Sequence, residues 1–169
     1  VAASDVAVDL MVVPHQARTA RASARAARLA PHDGLTARIA RGLEPALIDH
    51  QRIAIAALES TDARTFDLAI AGPAALLVAK VIKISERLGQ ADRQPDRLKE
   101  KDALDAFRLL QAVDTAELVL VLSKHRGEPN AAGIAEEALE ILRLHATTPR
   151  GRIVLLAASA AGGDATVAP

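Results

Sequence analysis

Residues Leu76–Leu110 read LLVAKVIKISERLGQADRQPDRLKEKDALDAFRLL. The pattern predicts two helices joined by a polar, proline-containing connector. Lys80, Lys83 and Arg87 stand at i, i+3 and i+7, so a helix sets them along one side. Leu77, Val81, Ile84 and Leu88 fall along another side, which suits burial. Beyond the connector, Asp102 and Asp105 lie one helical turn apart, with Leu104, Leu109 and Leu110 available for packing. Folded as a hairpin, the two helices would bring the lysines and aspartates together near one end. A lysine beside a carboxylate can bind a triphosphate while the carboxylate helps to hold a metal or a hydroxyl. The same residues also suit a plainer role as solvated faces and modest surface ion pairs.

Composition limits what can surround this pair. The 169 residues are enough for one domain with a real core. Half of them are apolar, mostly alanine, and Phe66 and Phe107 are the only aromatics. The core is therefore Leu, Ile, Val and Ala, which favours closely packed helices. Cysteine is absent, which excludes a disulfide partner and thiolate metal sites and fits a cytoplasmic protein. The formal net charge is zero, so any nucleic-acid contact must come from a local patch. No stretch is long and apolar enough to span a bilayer, and the start lacks a signal-peptide pattern. Abundant Arg and Ala with little Lys suggest a GC-rich genome.

Upstream, Asp5–Val13 reads as a strand in which Asp9 interrupts an apolar run. Burying that carboxylate unpaired would be costly, so it should face solvent, a cation or a metal. Pro14 ends the strand. Arg18, Arg21, Arg25 and Arg28 recur at spacings of three and four, which in a helix would make a basic stripe able to touch a phosphate backbone. A solvated face or loop reads equally well there, and Arg38 and Arg41 extend the basic character. Ala46-Leu47-Ile48, Ile53–Leu58 and Phe66–Ile70 predict a small antiparallel meander that Gly72-Pro73 closes. Pro73 suits the first turn of the following helix. The five histidines show no metal-ligand spacing and read as structural or exposed.

After Leu110 the chain predicts helices only. Asp114 caps one that runs to Lys124, with Glu117 completing a capping-box pattern. Ala131–His145 is the next. Ile153–Ala161 is the last, almost wholly small or aliphatic, to be sandwiched in the core or laid against a partner chain. The expected organisation is α+β: a sheet region over 1–72, a helical region over 73–162 and a tail over 163–169.

The central stretch resembles the C-terminal motifs of the AbiEii-like nucleotidyltransferase toxins, which include the mycobacterial MenT-type toxins. Members show an apolar helix with a Lys and, seven residues on, an Arg, as at Lys80 and Arg87. They then show a basic residue, Asp, two residues, Asp and an apolar run, as in Lys101-Asp102-Ala103-Leu104-Asp105-Ala106-Phe107. The likeness runs from about Val6 to Leu110. It implies a partial polymerase-β-like sheet followed by a helical bundle. It also implies transfer of nucleotides from an NTP to the 3′ end of tRNA, blocking translation, with Mg²⁺ as cofactor. By the same resemblance Lys80 contacts the nucleotide's phosphates and Asp102 is an essential acid. Lys83, Arg87 and Asp105 support them, Asp9 is a metal ligand, and a cognate antitoxin is a partner. The family's first motif, a Gly-Ser turn before an Asp-x-Asp strand, is not found, and no Gly-Ser dipeptide occurs. That gap admits a second expectation: a catalytically inactive relative serving as a helical protein-binding module.

Overall fold

The computed structural model describes residues 9–17, 26–28 and 35–162. The chain divides into two compact units, Val1–Arg41 and Gly42–Pro169. The strand pair His50–Ala56 and Thr65–Ala71 therefore shares a unit with the helices. Among the described residues, five helices and two small sheets make the architecture mixed α+β.

In the first unit, β1 (Met11–Val12) runs parallel to β3 (Leu35–Ile39), and β2 (Ala26–Arg28) pairs antiparallel on its other side. Met11 faces Arg38 and Val12 faces Ile39 in the register, and the β2–β3 ladder slips between Ala27 and Arg28. Val13, Ala27 and Ala37 are buried. The strand expected over Asp5–Val13 is described only from Asp9, and regular pairing covers Met11–Val12. The predicted helical stripe is corrected at Arg28, which stands in β2. Its side chain is exposed there, because the segment adds an edge to β3 instead of coiling. Arg18, Arg21 and Arg25, the Pro31-His-Asp-Gly34 stretch whose composition signals a turn, and the tail expected over 163–169 lie outside the described residues.

The second unit opens at Gly42, whose φ of +91° favours glycine. A side chain there would also press on helix α1 (Pro73–Leu88), since a Cβ would come within 3.2 Å of the Ala79 backbone. Glu44–Leu47 then forms a 3-10 turn, not the strand expected for Ala46-Leu47-Ile48. Pro45 is the reason: its fixed φ suits the start of a helical turn. Strands β4 (His50–Ala56) and β5 (Thr65–Ala71) pair over seven residues, so the expected meander is a two-stranded ribbon.

Helix α1 starts with Gly72 as N-cap and Pro73 in its first turn. Its apolar side is buried as the spacing predicts, with Leu77, Val81, Ile84 and Leu88 joined by Val78 and Ile82. Around it lie α2 (Glu100–Ala112), α3 (Thr115–Gly127) and α4 (Ala132–Ala146). The final helix α5 (Arg152–Ala161) packs on α2 and α4. Ala103, Ala106, Ala138 and Ala157 occupy the core, which is how an alanine-rich chain brings helices close. Asp114 caps α3 by accepting the amides of Ala116 and Glu117. α5 buries Ile153 and Ala157 but leaves Leu155 outward, so it lies half in the core. Among the described residues no helix is long and apolar enough to cross a membrane.

Candidate functional site

Lys80 and Arg87 project from α1 two turns apart, flanking the face that buries Leu77 and Ile84. Asp102 and Asp105 project from the first two turns of α2. The ammonium of Lys80 donates to Asp105 Oδ2 at 2.8 Å and to Asp102 Oδ1 at 3.2 Å. Arg87 donates through Nη1 to the other oxygen of Asp102. Asp102 thus bridges both cations, and Asp105 meets Lys80. The four side chains are roughly a fifth to a third exposed, which leaves them reachable from solvent.

The charges tune one another. Burial alone would lower the Lys80 ammonium, but the hydrogen bonds and charges of Asp105 and Asp102 outweigh it and raise it above the usual lysine value. The hydrogen bond from Lys80 holds Asp105 below the usual carboxylate range. Desolvation opposes this, and the fields of Lys80, Lys101 and Arg108 assist it. Lys101 and Arg108 lie one turn before and one turn after Asp105 on the same helix. Lys83 points to Glu86 at 3.8 Å and is half exposed, beside the cluster but bonded away from it. A cleft of about 490 Å³ adjoins the start of α2, lined by Pro95, Leu98, Lys99, Glu100, Lys101 and Ala160.

The cations can hold an anion that displaces one of their carboxylates. Lys80 has three N–H donors, two of which meet carboxylates, and Arg87 has a planar fork of five. The acids do not fit the Mg²⁺ that the resemblance implies. Asp102 and Asp105 are engaged by cations, and Asp9 accepts from exposed Arg38 at 2.9 Å. Among the described residues no three of His, Asp and Glu converge where they could hold a metal ion. Of Arg18, Arg21, Arg25 and Arg28, expected to touch RNA, Arg28 is described, exposed on β2.

A second polar cluster escaped the sequence. Asp49, just before β4, accepts the amide of Ala75 in the first turn of α1 at 2.8 Å. Its Oδ2 also lies 3.4 Å from Nε2 of His125, a residue only 1 % exposed. Neither ring nitrogen of His125 has a well-formed hydrogen bond. Burial pushes this imidazole below its usual value, against the pull of Asp49. The missed signal was periodicity: Leu118, Leu122 and His125 fall at i, i+4 and i+7, one buried face of α3. His50, by contrast, is exposed and meets the Ala46 carbonyl at 3.0 Å. No family model, curated protein or solved structure matches the chain.

Proposed function

We propose that the protein is a nucleotidyltransferase toxin that transfers nucleotides from an NTP to the 3′ end of tRNA, with a cognate antitoxin as its partner. The observation that carries this reading is the meeting of Lys80, Arg87, Asp102 and Asp105 in one cluster. These are the residues in which the sequence resembles the toxin family. In this reading Lys80 and Arg87 hold the triphosphate and draw charge from the leaving pyrophosphate. Asp102 fixes both cations and receives the hydrogen bond of the attacking 3′ hydroxyl. Asp105 orients Lys80, and Lys83 and Lys101 extend the positive field.

Incubating the purified protein with tRNA and each labelled NTP in turn tests the assignment. Lys80→Ala and Asp102→Ala should each lower transfer by about a hundredfold or more, the scale on which removing a charge-stabilising group acts. Transfer and growth inhibition that survive both substitutions would make the assignment wrong.

A second reading has its own support. Each cation of the cluster is already paired with a carboxylate, and Leu144 and Leu155 stand more than half exposed on α4 and α5. A helical protein-binding module would look like this. It is favoured if no NTP is transferred and the protein instead forms a stoichiometric complex through those helices.

A further inference from the structure

Lys80 is not an open anion site. Two of its three donors point at carboxylates, and the partner that it meets most closely, Asp105 at 2.8 Å, makes no bridge to Arg87. Asp102 ties α1 to α2 through both cations, whereas Asp105 meets Lys80 alone among the α1 cations. An anion arriving at Lys80 therefore competes with Asp105 first.

Resting on the nucleotide-binding reading above, we propose that Asp105 is a latch that occupies the phosphate position of Lys80 and so selects polyphosphate chains over single phosphates. Three features make it a latch and not a fixed strut. Ion pairs within reach of solvent are modest, and the Lys80 and Asp105 side chains are 32 % and 27 % exposed, so the contact can open. On release, Asp105 has other cations to turn to on its own helix, since Lys101 and Arg108 already act on it. A chain of phosphates can reach both Lys80 and Arg87, two turns apart on α1, where a lone phosphate in the place of Asp105 meets Lys80 alone. Asp105 is thus a positioning and selecting residue, touching the substrate's partner and not the substrate.

The test is titration calorimetry with inorganic tripolyphosphate and inorganic phosphate on the full chain. Asp105→Asn should bind tripolyphosphate about tenfold more tightly than the wild type and should gain phosphate binding, a change of about 1.4 kcal/mol for each tenfold. Asp67→Asn, which removes a like charge from β5, should leave both affinities as they were. In a Lys80→Met background the gain from Asp105→Asn should vanish. Equal or weaker binding by Asp105→Asn, a matching gain from Asp67→Asn, or a gain that persists without Lys80 would each overturn the latch. Tripolyphosphate binding that is the same in wild type and Lys80→Met would instead sink the assignment of Lys80 as the phosphate contact.

Discussion

His125 is the most consequential single side chain outside the cluster. Burial holds its imidazole neutral, below its ordinary pKa, although the Asp49 carboxylate pulls the other way. The sign follows from linkage. As the pH falls through about 6.5 the unfolded chain takes up a proton that the folded chain refuses, so stability drops from there down through the lower folded value. Above that window the contribution is complete. Thermal melts between pH 7.5 and 5 should therefore show a falling midpoint, and His125→Leu should flatten that part of the profile. An unchanged slope in the variant would place the proton uptake elsewhere. Neither the burial nor the pairing of His125 could be read from its letter, since an isolated histidine gives no ligand spacing. Its place three residues after Leu122 was visible, and a face-by-face reading of α3 would have put it inside.

The elements that position the cluster owe their geometry to local rules. The spacing of Lys80, Arg87, Asp102 and Asp105 was legible because a helix fixes which residues share a side, whatever the rest of the fold does. That these faces would meet rested on a hairpin between α1 and α2, which the chain forms through the connector over residues 89–99. The start of α1 was only half legible. Gly72 and Pro73 announced it, but its cap comes from Asp49, twenty-six residues from Ala75. No nearest-neighbour pattern reveals a capping group supplied from so far back along the chain. Asp49 also explains why position 72 is glycine: a Cβ there would lie 2.1 Å from its Oδ1. Gly72→Ala should cost about 1–3 kcal/mol as an overpacking substitution, and Asp49→Ala about 1 kcal/mol as a lost cap. The two should not add, because without the carboxylate the alanine has room. A double-mutant cycle from urea melts measures this, and strict additivity would mean that Asp49 does not fill that space. The 3-10 turn at Glu44–Leu47 is hard to see in the sequence because Ala46-Leu47-Ile48 is an apolar run too short to show a period, and Pro45, which sets the turn, precedes it.

Across the molecule, packing is uneven. The helices of the second unit share one core, in which Leu77, Val81 and Ile82 are all but inaccessible. The β4–β5 ribbon is different. Ile53, Ile55, Phe66 and Leu68 share one face of it by register, and each is between about a third and three-fifths exposed. A lone two-stranded ribbon gains little from its own pairing, so it should open before the helices do. The two phenylalanines happen to divide between these parts: Phe107 packs on the helical core and Phe66 stands on the ribbon. With no Trp or Tyr the chain is nearly silent in near-ultraviolet absorbance and intrinsic fluorescence. A fluorinated phenylalanine fed during expression would therefore give a ¹⁹F spectrum of two lines, one for each part, with nothing to overlap them. On adding urea the Phe66 line should move at lower concentration than the Phe107 line. A single shared midpoint would mean that ribbon and helices melt as one body.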